Sequence, residues 1–209
     1  MHYFTLRSFD LSLRGTPIVG KEIVHKELKL CRNHHGYYFW VYAPAAPRLR
    51  HPQNPLFLAQ HGLAGKTVEQ IVDTIDQTPQ SRPLPYSASI TSTELKLSDG
   101  EQIYTLPLGD KFYLSFAPYE WRTHPCFNHS LSGCQGEMPN KPFTVKVTDS
   151  KGAVIVQKEM QSYRNGFIGV WLPRNMEGTL EVSYNGKTAS HAIATRDDSQ
   201  TCLTELPLR

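Results

Sequence analysis

Thr179-Leu-Glu-Val-Ser-Tyr184, Asn185-Gly186, Lys187-Thr-Ala-Ser-His-Ala-Ile-Ala194 reads as two strands joined by a two-residue turn. Asn-Gly accepts positive φ at both central positions of a type I′ turn, and the twist of that turn matches the twist of an antiparallel pair. The same grammar recurs upstream. Pro142 to Val147, a turn at Ser150-Lys151-Gly152 and Val154 to Gln157 make a second hairpin. Ile90 to Leu97 leads through Ser98-Asp99-Gly100 into Gln102 to Leu106 as another. Lys111 to Ala117 places Phe112, Leu114 and Phe116 on one face of a strand, and Gly166 to Leu172 adds a further one. Strands at roughly ten-residue spacing with polar turns indicate an antiparallel sandwich or barrel.

A helix precedes this array. Thr67 followed by Gln70 forms a capping box, and Val68, Ile71, Val72 and Ile75 fall at i, i+3, i+4 and i+7, one apolar helical face. The helix should end near Thr78-Pro79, and Pro83 and Pro85 prolong the break. The fold class is therefore α+β, a short helical N-terminal part followed by an antiparallel β-sandwich-like domain. The patterns set an atypical and poorly ordered extension, residues 1–55, apart from the helix and hairpin that begin at residue 56 and the further strands that follow them.

The extension stands apart in composition. It holds five of the nine histidines, Cys31, and eight Lys or Arg against three acids, within a chain whose formal net charge is +3. Its one strong element is Gly36-Tyr-Tyr-Phe-Trp-Val-Tyr42, a strand if ordered, followed by a Pro-rich linker from Ala43 to Pro55. The positive residues are scattered and form no helical stripe, so nucleic-acid binding is not expected. With 39% hydrophobic and 20% charged residues the chain is globular in composition. It has no run of the roughly 18 apolar residues that a membrane helix requires, and the reading is a soluble protein without membrane partners. The start, Met1-His-Tyr-Phe-Thr-Leu-Arg-Ser, lacks the features of a secretory signal.

A loop of about 20 residues separates the strand ending at Ala117 from the one beginning at Pro142, and loops that long are usually functional or disordered. It contains His124-Pro-Cys126-Phe-Asn-His129-Ser-Leu-Ser-Gly-Cys134. Thiolates suit soft ions; Cu(I) is satisfied by two or three sulfurs, whereas Zn(II) wants four donors and would have to recruit His124 or His129. Two thiolates that become a disulfide can also deliver two electrons to two Cu(II) ions. Spacing alone favours a plainer outcome, a Cys126–Cys134 disulfide that pins the loop and leaves Cys202 buried or free. On that reading the chain is a β-sandwich interaction module without a metal. Met138 reads as a packing residue, His191 as a core or edge histidine, and Asp197-Asp198 beside Arg196 as a solvated turn. No GxSxG, HExxH, P-loop or GxGxxG motif is present.

The loop His124 to Met138, together with Gln161-Ser-Tyr-Arg-Asn-Gly-Phe-Ile-Gly-Val-Trp-Leu-Pro-Arg-Asn-Met176 and Arg196-Asp-Asp-Ser-Gln-Thr-Cys202, resembles the CueP family of periplasmic copper-binding proteins of enteric bacteria. The likeness runs from about Phe57 to the C-terminus and includes His61-Gly-Leu-Ala-Gly-Lys-Thr-Val-Glu-Gln-Ile71. It reverses the order of the two readings. What it implies is copper resistance in the periplasm, with copper, preferably Cu(I), held at Cys126, Cys134 and Cys202; beside those thiols His124 or His129 reads as an auxiliary donor. It also implies reduction of Cu(II), supply of copper to a periplasmic Cu/Zn superoxide dismutase, and a homodimer joined through an N-terminal helix and hairpin domain, residues 56–110, with the copper-site cysteines in a C-terminal β domain, residues 111–209. Such a protein binds and delivers metal rather than acting as an ordinary enzyme. Residues 1–55 depart from the family, where an export signal is expected, and read as an alternative start or out-of-frame translation.

Overall fold

The computed structural model describes residues 28–32, 38–42 and 55–209. The chain divides into two compact units, Met1–His51 and Pro52–Arg209. In the first, β1 (Leu28–Arg32) pairs antiparallel with β2 (Tyr38–Tyr42), Leu28 opposite Tyr42 and Arg32 opposite Tyr38. Apart from Pro55, the rest of the 1–55 extension, including its Pro-rich stretch, lies outside the described residues.

The second unit opens with α1 (Pro55–Gln60), a short turn of helix the sequence pattern does not announce, and α2 (Val68–Asp76). The capping box forms as the sequence indicates: the Thr67 hydroxyl accepts from the Gln70 N–H, and the Gln70 side chain accepts from the Thr67 N–H. Next come β3 (Ser87–Ile90), β4 (Glu94–Ser98), β5 (Ile103–Pro107), β6 (Lys111–Tyr119) and β7 (His129–Ser130). They are followed by β8 (Pro142–Asp149), β9 (Val154–Gln161), β10 (Ile168–Pro173), β11 (Glu177–Tyr184), β12 (Lys187–Ala194) and β13 (Cys202–Pro207). The run expected as one strand from Ile90 to Leu97 is two. Thr91 breaks it, its hydroxyl accepting from the backbone of Thr93 and Glu94, a side-chain-built turn that competes with the ladder. The Asn185-Gly186 turn has φ of 49° and 80°, the type I′ signature.

Three sheets result, with strand orders β5-β4-β3-β7, β10-β6-β13 and β12-β11-β8-β9. All pairings are antiparallel except β13 with β6, which run parallel with Cys202 opposite Ser115. β8 alternates as a half-buried strand should, Phe143, Val145 and Val147 facing inward. β6 is buried almost end to end because both its faces are covered. Phe112, Leu114 and Phe116 join Ile168, Val170 and Leu172 of β10 against Phe143, Val145, Val147, Leu180 and Val182, which is the sandwich core. Met138 packs there too. Tyr113 faces the other way, into a second core with Ile71, Val72 and Ile75 of α2 and Ile90, Leu95 and Leu97 of β3 and β4. Each such buried aliphatic or aromatic side chain contributes roughly 1.5–3 kcal/mol relative to exposure. The middle sheet is thus held between a four-stranded sheet on one side and the helix with the β3–β5 meander on the other. A third, small cluster, Ala117, Phe167 and Cys202 with Cys126 and Cys134 against it, lies where the ends of β6 and β13 meet the long loop.

Candidate metal centre

The long loop is pinned at both ends by its own backbone chemistry. One carboxylate oxygen of Glu137 accepts from the backbone N–H groups of Glu120, Trp121 and Arg122 at 2.9, 3.0 and 3.2 Å. Burial would raise its carboxyl, but those donors hold it below the usual range. Thr123 donates its hydroxyl to Thr204 O at 2.7 Å. The carbonyl of Phe127 accepts from both Thr201 N and Cys202 N, at 2.9 and 3.0 Å, which brings the start of β13 against the loop one residue beyond Cys126. β7 pairs with β3, His129 opposite Ile90, and the His129 N–H reaches Thr201 Oγ1 at 3.1 Å. A tight turn follows in which Cys134 N donates to Ser130 O at 2.9 Å. Arg82 ties this turn to the helix, donating to Leu131 O and to the last carbonyls of α2, those of Ile75 and Asp76.

Those constraints converge on sulfur. Cys126 and Cys202 form a disulfide, with Cα atoms 5.5 Å apart and a sequence separation of 76. The expected Cys126–Cys134 bridge is therefore corrected. The parallel pairing of β13 with β6 and the two hydrogen bonds to Phe127 O hold Cys202 against Cys126, while Cys134 stays a free thiol with its Sγ 3.7 Å from Cys126 Sγ. Sequence spacing could not reveal this, since the contact depends on a crossover strand 76 residues away. The five candidate donors fall into two sets that share Cys134, namely His124, Cys126 and Cys134, and His129, Cys134 and Cys202. Within each set the ligand atoms lie within 4.8 Å of one another. Cys202 and His129 are fully buried; His124, Cys126 and Cys134 are half-buried. The Phe167 ring borders both histidines, its centroid 4.6 Å from that of His129 and 6.2 Å from that of His124.

Behind His129 stands a buried polar network that the sequence reading missed. Asp76, the last residue of α2, is fully buried. One of its oxygens lies 3.0 Å from His129 Nε2 and accepts from Asn165 Nδ2 at 2.8 Å, and the other accepts from the Tyr113 hydroxyl at 2.7 Å. Burial pushes the Asp76 carboxyl up, yet the His129 charge and the three hydrogen bonds outweigh it, so the carboxyl lies below its usual value. Burial likewise pulls His129 down, but the Asp76 carboxylate, aided by Cys134, lifts the imidazole to about 9. Burial raises the Cys134 thiol, and the adjoining His129 with the Ser130 N–H brings it below the ordinary thiol value. At neutral pH the arrangement is carboxylate, imidazolium and a thiol poised toward thiolate. Asp76 had a signal in the sequence: it falls at i+8 of the apolar stripe begun by Val68, an acid where a hydrophobic residue belongs.

Residues 70–207 match the family described as periplasmic copper-binding protein CueP. The chain belongs to the CueP family. A crystal structure of a protein called S.CueP is 96% identical to it, covering 76% of this chain and 99% of its own, with a TM-score of 0.75. None of the curated proteins matches. The matched span contains Asp76, His124, Cys126, His129, Cys134 and Cys202. A set of three sulfurs with two imidazoles is soft and nitrogen-backed, and it fits the copper binding that defines the CueP family.

Proposed function

We propose that this chain holds copper as Cu(I) at Cys126, Cys134 and Cys202 in the periplasm and reduces Cu(II) with the Cys126–Cys202 pair. It then hands Cu(I) to a periplasmic Cu/Zn superoxide dismutase. The observation that carries the reading is the convergence of three cysteines from two distant parts of the chain into one small, partly sheltered cluster. Three thiolates suffice for Cu(I) without further donors, whereas zinc would need a fourth. The disulfide makes the site two-state. When Cys126 and Cys202 are thiolates, each can give one electron to one Cu(II), so two Cu(II) become two Cu(I) and the sulfurs join. With the disulfide closed, Cys134 alone remains among the described cysteines of the cluster, and tight Cu(I) binding is lost. Copper resistance would follow from the sequestration, and the chain would act as a homodimer.

The same disulfide favours a second reading, in which it is an inert staple of an interaction module. One experiment separates the two. Fully reduced protein, in a Cys31→Ser background, is mixed with two equivalents of Cu(II) under argon. Cu(I) is read with a chromogenic chelator and the new bridge by peptide mass mapping. Two Cu(I) per chain together with a Cys126–Cys202 bridge support the redox reading; no Cu(I) leaves the staple. Transfer is tested by adding metal-depleted superoxide dismutase to the Cu(I)-loaded protein. Activity regained no faster than from a Cu(I)–glutathione solution would remove the delivery step.

A further inference from the structure

We infer that Asp76 is a positioning residue of the sulfur cluster: it fixes the His129 ring through Nε2, so that Nδ1 is presented to Cu(I) as a ligand beside Cys134 and Cys202. This rests on the reading that the cluster takes Cu(I), and it extends the site to the end of a helix outside the cysteine-bearing segments.

The two nitrogens of His129 are not equivalent. Nε2 is committed, since an ionised carboxylate can only accept and therefore takes the Nε2–H at 3.0 Å. Nδ1 is turned the other way, 3.7 Å from Cys202 Sγ, and releases the second imidazolium proton to solvent when the metal binds there. A histidine that ligates a metal almost always gives its other N–H to a carboxylate or carbonyl, which fixes the tautomer and makes the free nitrogen more basic.

Asp76 is itself held from three sides. Tyr113 on β6 donates to one oxygen; Asn165, just ahead of β10, donates to the other. Asn165 is fixed in turn by the Phe167 N–H donating to its Oδ1 at 3.0 Å. Tyr113 packs at a tilt against Trp171, whose indole N–H reaches Asp73 Oδ1 on α2 at 3.1 Å. The tilted Phe167 ring closes the remaining face of His129. Burying a carboxylate is unfavourable until its partners offset the lost hydration, and an apolar residue there would extend the helix stripe. The placement is accounted for if the carboxylate orients a ligand. His124, by contrast, has no carboxylate partner among the described residues.

The direct test is ¹⁵N NMR of histidine-labelled reduced wild-type protein, with and without one equivalent of Cu(I). Expected is a coordination shift at His129 Nδ1 alone, with Nε2 still protonated and its proton slow to exchange. An unshifted His129, or a shift at Nε2, overturns the inference whatever the variants do. In Asp76→Ala the Cu(I) affinity should fall by about 10–100-fold. A stability-matched sandwich-core variant, Leu180→Ala, should retain wild-type affinity. Equal affinity of Asp76→Ala and wild type would also overturn it. Cys134→Ser is run alongside. If it too binds Cu(I) as wild type does, the thiol site fails; if it loses binding while Asp76→Ala does not, only the positioning role fails.

Discussion

Raising the pH of the disulfide-bonded protein should unlock the Asp76–His129 pair, and the loss can be sized from the site. His129 is lifted to about 9 in the folded chain against 6.5 for an ordinary histidine. A group whose folded value is raised stabilises fully below its unfolded value, and that contribution fades as pH climbs through the folded value. A gap of 2.5 between those values corresponds to about 3 kcal/mol, present near pH 6 and mostly gone by pH 9. Both partners are fully buried, so solvent screening takes little from it. Cys134 works in the opposite sense, because its value is lowered on folding and its contribution grows as pH rises toward the ordinary thiol range. The two effects oppose each other in the wild type. A Cys134→Ser background isolates the histidine, and the introduced hydroxyl can still accept from the Ser130 N–H. Because Cys134 is among the groups that lift His129, the gap narrows without it, and urea unfolding at pH 6, 7, 8 and 9 in that background should lose on the order of 1–3 kcal/mol across the series. Adding Asp76→Asn, which removes the charge that lifts His129, should flatten the slope. A stability independent of pH from 6 to 9 in Cys134→Ser would refute the ion-pair account.

Other consequences follow from the same network and loop. In Gly169→Ala the new Cβ would overlap the Tyr113 hydroxyl, driving it off Asp76; overpacking and a lost buried hydrogen bond should together cost about 3 kcal/mol in urea unfolding. An unchanged midpoint would count against the Tyr113 contact. Removing the shared acceptor in Glu137→Ala should speed amide exchange at Glu120, Trp121 and Arg122 while the β8 and β11 amides keep their protection. Unchanged protection at those three amides would show that Glu137 does not hold the loop. Reducing the Cys126–Cys202 bond, which spans 76 residues, should lower stability by about 2–4 kcal/mol, and Cu(I) should restore it by binding only the folded thiols. A reduced protein as stable as the oxidised one would contradict the closed bridge.

Much of this molecule is legible in its sequence for local reasons. The Thr67–Gln70 capping box, the Asn185-Gly186 turn and the alternation of Phe143, Val145 and Val147 each depend on residues within a few positions, and each forms as its pattern indicates. β13 is not legible: its pairing with β6 is parallel, with no turn residues to announce it, and Thr204 and Glu205 interrupt the apolar residues of Cys202-Leu-Thr-Glu-Leu. The disulfide partner was missed for the same reason, since Cys202 reaches Cys126 only through that pairing. Loop residues His124, Cys126, His129 and Cys134 were found because they carry chemistry in a long loop. Asp76, Tyr113 and Asn165 act through His129, and only the out-of-place acid on the helix stripe hinted at them. The thiol at Cys134 is distinguished from the bridged pair by geometry alone, 3.7 Å from Cys126 and with no bond to it.

The most direct test of the sulfur site is a Cu(I) competition titration of the fully reduced protein against a chromogenic chelator, comparing wild type with Cys202→Ser. The account predicts tight binding by wild type and its loss in Cys202→Ser, with both proteins giving the same folded circular-dichroism spectrum. Wild-type Cu(I) affinity in folded Cys202→Ser would contradict a site built from Cys126, Cys134 and Cys202.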